Sequence, residues 1–121
     1  MEADMGYRAA RIQEQIKKII GKMLIEKISD PRLGFVSVTE VEVSRDYSVA
    51  KVYFSVLGAE ESKEQTMKVL NGSKGFIRTE VGRTLGIRVT PELAFFLDRS
   101  LDHAEEMDRL MQRLDNEPEA K

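Results

Sequence analysis

The chain has no cysteine and no tryptophan, and it carries one histidine, His103, and three prolines. Without cysteine there is no disulfide framework, no thiolate nucleophile and no zinc site of the cysteine-rich kind. His103 is thus the one imidazole available for acid–base or metal chemistry. Nucleotide fingerprints are missing as well, since neither a phosphate-binding Gly-x-x-x-x-Gly-Lys loop nor a Gly-x-Gly-x-x-Gly turn occurs. No apolar run is long enough to span a bilayer, because the first segment is broken by Arg8, Arg11, Gln13, Glu14 and Gln15. No secretory leader is read either. These absences point to a cytosolic chain with no membrane partner. At 121 residues and 13.8 kDa the length suits one domain with a core of its own.

The net charge of -2 and the isoelectric point near 5.5 count against a nucleic-acid partner until the charge is divided along the chain. Residues 1–91 hold 15 Lys+Arg against 12 Asp+Glu, whereas residues 92–121 hold 4 against 9. An acidic end masks a mildly basic body. Within residues 63–91 the bias sharpens: Lys63, Lys68, Lys74, Arg78, Arg83 and Arg88 face only Glu64 and Glu80. This stretch is the best candidate for a phosphate-facing surface.

Ile12, Ile16, Ile19, Ile20, Met23, Leu24 and Ile28 recur at three- and four-residue steps, which predicts a helix over residues 6–28. Asp30-Pro31 stops it, since proline disfavours helical geometry in the residue before it and has no N–H to give. From Phe35 the period becomes two. Val36 and Val38 share one parity and Val41 and Val43 the other, so the strand should carry a bulge at Thr39 or Glu40. Ser44 to Tyr47 makes a turn into a second strand over 49–57, with Ala50, Val52, Phe54 and Val56 on one face. Residues 60–70 read as a helix anchored by Met67 and Leu70. Phe76, Ile77, Val81 and Leu85 mark another, despite Gly82, which costs about 1 kcal/mol relative to alanine and suggests close packing. Leu93 to Leu97 reads as a short apolar strand. Ser100 can cap a last helix through Leu114, with Leu101, Met107, Leu110 and Met111 on its apolar side. Residues 115–121 read as a disordered acidic tail. The order is helix, strand, strand, helix, helix, strand, with an accessory C-terminal helix, an α+β arrangement in a single domain over residues 1–114.

Between the second and third helices stands Asn71-Gly72-Ser73-Lys74-Gly75-Phe76-Ile77-Arg78. A Gly-x-x-Gly turn there would let a nucleic-acid backbone approach, because glycine has no Cβ, the N–H groups opening the next helix favour an anion, and Lys74 adds charge. KH domains clamp RNA in this way. By itself the motif is weak, since roughly every second chain of this length contains one by chance.

Other chemistry is thin. His103 and Glu106 lie three apart and could offer two metal ligands, but on an acidic helix such a pair is more often solvated surface. Asp30, Asp46 and Asp98 sit at element ends, where turn and cap duties suffice. No general acid and base pair can be nominated, so the expectation is a non-enzyme without cofactor, metal or small-molecule substrate. For Lys68, Lys74, Arg78, Arg83 and Arg88 a solvated helix face competes with RNA contact. Lys17, Lys18 and Lys22 could extend the patch along the first helix. Arg45 and Lys51 are further RNA candidates, although Arg45 could simply pair with Asp46. One of the rings of Phe95 and Phe96 should enter the core.

Asp30-Pro31-Arg32-Leu33, the run Val41-Glu42-Val43-Ser44-Arg45-Asp46 continuing to Ala50-Lys51-Val52-Tyr53, then Gly75-Phe76-Ile77-Arg78, Leu85, Arg88 and Pro91-Glu92-Leu93 with Phe95 and Asp98 together resemble the bacterial ribosome-binding factor A family, over nearly all of residues 5–114. The resemblance implies a type II KH-like fold in the element order read above. It also implies a monomeric, non-catalytic factor that binds the free 30S subunit and its 16S rRNA and assists late maturation, including processing at the rRNA 5′ end, especially in the cold. In that family an Ala-x-Gly kink usually replaces the Gly-x-x-Gly turn. Its place here is taken by Ser73-Lys74-Gly75, and with Gly72 in front the residues allow either a loop or a kink over 71–75. The family's long C-terminal extension is short here, so functions of a longer tail do not transfer. A protein-interaction module, using the last helix and the strand over 93–97 with an incidental basic face, is the rival reading.

Overall fold

In the computed structural model, residues 2–28, 30, 32–100 and 110–113 are described. Helix α1 spans Glu2–Glu26, strand β1 Val36–Val43, strand β2 Val49–Val56, helix α2 Glu60–Gly72, helix α3 Lys74–Leu85 and strand β3 Glu92–Leu97. The strands form one sheet in the order β1-β2-β3, with β1 antiparallel and β3 parallel to β2. This is the α-β-β-α-α-β order of a type II KH-like fold. Ser100 is helical, as are residues 110–113, but most of the expected C-terminal helix, His103, Glu106 and the 115–121 tail lie outside the described residues.

The apolar stripe of α1 explains its docking. Ile16, Ile20, Met23 and Leu24 are buried against β1 and α3, meeting Val41, Ala50, Val52 and Phe54 of the sheet and Leu70, Ile77 and Val81 of the helix pair. Leu93 and Phe95 complete this core, and the Phe95 ring meets Phe54 edge-on at 5.1 Å. Removing a fully buried ring such as Phe54 costs about 3–5 kcal/mol, so the sheet face toward the helices sets the stability. Of the expected anchors in α3, Phe76 does not enter this core. It is 51% exposed, because Ile77 and Val81, four residues apart, already define the inward face.

The parity change in β1 is a bulge. Pairing with β2 shifts between Val38 and Glu40, which keeps valines facing the core on both sides of it. Thr39, skipped by the ladder, turns its hydroxyl to Asp98 Oδ2 at 2.6 Å, tying β1 to the residue that follows β3. In the hairpin turn Tyr47 takes a left-handed φ of 60° while Asp46 accepts from the Ser48 amide and hydroxyl and from the Ser44 hydroxyl. After α1, the Asp30 carboxylate grips Arg32 through its backbone N–H and its guanidinium at 2.8–3.1 Å. Thr66, fully buried in α2, accepts from the Gly34 amide and donates to the Arg32 carbonyl, so the connection between α1 and β1 is pinned to α2.

Candidate nucleic-acid interface

Only Ser73 separates α2 from α3. Its N–H donates to the carbonyls of Val69 and Leu70 at 3.0 and 3.1 Å, and its own carbonyl accepts from Ile77 N–H at 2.9 Å, so hydrogen bonding runs through the break. The feature is a kink and not a loop. Neither Gly72 nor Gly75 has the positive φ of a left-handed turn, and no atom crowds the place of a Cβ at either. The expected backbone cradle of a Gly-x-x-Gly loop is therefore absent: both glycines are helical, and the Ser73 N–H that such a cradle would offer is already committed.

What the kink does is set side chains beside the outer strand. Lys68 of α2 and Leu97 at the end of β3 line one open groove of roughly 440 Å³, together with Lys63, Glu64, Met67 and Asn71. Lys74, the first residue of α3, holds its ammonium 5.3 Å from the centre of the Phe95 ring. Four residues on, Arg78 donates from Nε to the Pro91 carbonyl at 3.1 Å and from Nη2 to the Thr90 carbonyl at 2.6 Å, with Glu92 Oε1 3.5 Å away. Cationic side chains thus follow β3 from Leu97 to Glu92, a distance of about 17 Å at the rise of a strand. That strand is at the edge of the described sheet.

The members differ in how firmly the fold holds them. A cation over a ring at an accessible site is worth about 0.5–1 kcal/mol, weak enough for Lys74 to exchange it for a phosphate. Lys68 and Arg88 are exposed and have no ion pair among the described residues. Arg78 is committed to structure, because its guanidinium caps two carbonyls that would otherwise lack donors. Arg83 meets Glu80 at 2.8 Å, and Lys27 reaches the same carboxylate from the end of α1 at 2.9 Å. These two cations, Arg83 foremost, hold the Glu80 carboxyl below its ordinary range, so the local field is partly cancelled. Lys63, counted in the basic stretch, is 6% exposed.

The remaining candidates fall elsewhere. Lys17, Lys18 and Lys22 sit on α1, and the first two line a groove with Val36, Ser37 and Val38 of β1. Because α2 contacts β3 and α1 contacts β1, these lysines flank the opposite edge of the sheet and do not extend the row beside β3. Arg45 is exposed at the hairpin, and Asp46 is taken by Ser44 and Ser48, not by Arg45. Lys51 projects from the sheet face away from the helices, opposite Glu42 in the ladder. On that face Phe96, 42% exposed, stacks on Tyr53 at 5.5 Å, whereas Phe95 is the ring that enters the core. The pairing of Arg78 with the Thr90 and Pro91 carbonyls had no signal in the sequence.

Residues 8–111 match the family described as Ribosome-binding factor A. The chain belongs to the ribosome-binding factor A family. Solved structures agree. Ribosome-binding factor A from Thermus thermophilus is 27% identical, with a TM-score of 0.65 over 76% of this chain and 98% of that one. A candidate ribosome binding factor A from Thermotoga maritima is 38% identical, with a TM-score of 0.70 over 78% of this chain and 90% of that one. A third is the Thermus thermophilus factor as a homology model fitted into a cryo-EM map of a 30S–RbfA complex, 28% identical with a TM-score of 0.60 over 72% and 91%. In this family member no helix among the described residues is long and apolar enough to cross a membrane. No group of three or more potential metal ligands occurs among them.

Proposed function

We propose that this protein is a non-catalytic assembly factor, monomeric and cytoplasmic, that binds the free 30S subunit and its 16S rRNA during late maturation and supports processing at the rRNA 5′ end, most of all in the cold. The observation that carries this reading is the pair of available cations, Lys68 and Lys74, set beside β3, an edge strand of the described sheet, in a chain of this family. Phosphates would meet Lys74 at the kink and Lys68 one side of it, with Arg88 as an outlying contact, while Arg78 keeps the strand's entry in place. The Thermus thermophilus relative in a 30S complex supports the choice of partner.

Acting without catalysis, such a factor shifts an rRNA folding equilibrium only by its differential affinity for two states. It must therefore hold an immature arrangement more tightly than the finished one, and its release follows maturation. The test is co-sedimentation with purified free small subunits. A Lys68→Glu, Lys74→Glu double variant with an unchanged circular-dichroism spectrum should fail to co-sediment where the wild type does. Retention of that variant on the subunit would remove the row beside β3 from the interface.

A further inference from the structure

The edge of the sheet away from β3 holds a second surface, and the RNA contacts proposed above make no use of it. Between α1 and β1 runs a groove lined by Lys17, Lys18, Leu24, Ile25, Val36 and Val38, with a volume of roughly 320 Å³. It continues into a second hollow of roughly 490 Å³ that shares Leu24, Ile25 and Val36 and reaches Phe35. Ile25 is 86% and Phe35 83% exposed, so two large apolar side chains stand in solvent at adjoining positions of one surface.

β1 is also an edge strand. Leu57 N–H donates to the Phe35 carbonyl, so Phe35 turns its backbone toward β2, and by alternation Val36 and Val38 turn theirs outward. At the far end of β1 the outward amide of Val43 is already covered, donating to Oε1 of the α1 residue Gln13 at 3.0 Å. Among the described residues, the stretch over 36–38 has no such cover. An open edge above an apolar groove is the geometry in which an extended segment adds a strand, its backbone pairing with the edge and alternate side chains entering the groove.

Charge narrows the occupant. Lys17 and Lys18 line the groove along α1 with Glu14 as its carboxylate, and Asp30, which lines the adjoining hollow, is already engaged by Arg32. A second copy of this chain would bring the same lysines face to face, and an rRNA backbone would leave Ile25 and Phe35 without apolar partners. We propose that this groove docks an extended segment of another protein that alternates apolar and acidic residues, pairing with Val36 and Val38 as an added strand while its carboxylates meet the lysines of α1.

The test needs no ribosome, so its failure leaves the RNA reading untouched. A synthetic decapeptide of alternating valine and glutamate is titrated into the ¹⁵N-labelled full chain, alongside its valine–lysine counterpart. The valine–glutamate peptide should shift the amide signals of Ile25, Val36 and Val38 and slow hydrogen exchange at Val36 and Val38, and the lysine counterpart should not. Ile25→Asp, at an exposed position, should abolish the shifts with the fold intact, and Lys17→Glu with Lys18→Glu should weaken binding about fivefold, as expected for two surface charges of modest worth. Absence of shifts at these amides up to millimolar peptide, equal binding of both peptides, or shifts caused by a 16S rRNA fragment in place of the peptide would each overturn the proposal.

Discussion

Thr90 fills the space over Gly82. A Cβ built on that glycine would overlap Thr90 Oγ1 and lie 3.3 Å from Thr90 Cβ, so the α3 backbone and the segment entering β3 are in contact at that point. Arg78 holds the same segment from one turn earlier, through the carbonyls of Thr90 and Pro91. The closeness of α3 to β3, which places Lys74 over Phe95, depends on both.

Gly82→Ala should therefore destabilise the protein. Overpacking costs about 1–3 kcal/mol and is offset in part by the gain of about 1 kcal/mol from alanine in a helix. In a Thr90→Ala background the clash shrinks and the same substitution should become neutral or stabilising. Urea unfolding of the four proteins of this cycle measures the change, and additive effects would show that the two positions do not touch.

Arg78→Lys should behave like Arg78→Ala, losing about 2 kcal/mol. A lysine has one head group and cannot place Nε on one carbonyl and Nη2 on another. Full rescue of stability by lysine would mean that only the charge beside Glu92 matters.

Binding to free small subunits should weaken with salt along a slope of about -3 in log K against log salt, for contacts by Lys68, Lys74 and Arg88 at roughly 0.9 per phosphate. Charge and spacing alone suggest Arg78 and Arg83 as contacts too and a steeper slope; their bonds within the fold remove them. Lys68→Ala should lower the slope by nearly one unit. Binding unaffected by salt would sink the phosphate contacts altogether.

Acid should destabilise the fold in a defined window. Glu80 lies below its ordinary 4.5 because of Arg83 and then Lys27, Asp98 below 3.8 because of the Thr39 hydroxyl and then Ser100, and Asp30 falls to about 2 through Arg32. Each carboxyl releases its proton more readily folded than unfolded, so its contribution is complete above the ordinary value and is lost as pH falls through it toward the folded value. The urea midpoint should hold from about pH 7 to about pH 5 and then drop. Thr39→Val should flatten the part due to Asp98. A midpoint unchanged down to about pH 3 would contradict these assignments.

Much of the architecture was legible because it rests on period. The parity switch from Val38 to Val41 marked the bulge, the alternation of Ala50, Val52, Phe54 and Val56 marked the buried face of β2, and Gly82 marked a close approach. The site was less legible, because charge along a sequence does not say who is already paired. Arg78, Arg83 and Lys74 look alike in one dimension. In three, the first clasps backbone carbonyls, the second a carboxylate and the third only an aromatic ring. The lysines of α1 were separable from those of α2 only once the strand order placed α1 and α2 at different edges.

The one-residue joint at Ser73 also bears on speed. A clamp that closes on its ligand must order a segment after contact, and ordering costs about 1–2 kcal/mol of backbone entropy for each residue fixed. With the Ser73 amide and carbonyl both bonded across the joint, no such segment exists between the helices. The surface beside β3 stands finished before its partner arrives, so association should proceed in one kinetic phase, limited by encounter and charge attraction and not by rearrangement of the factor.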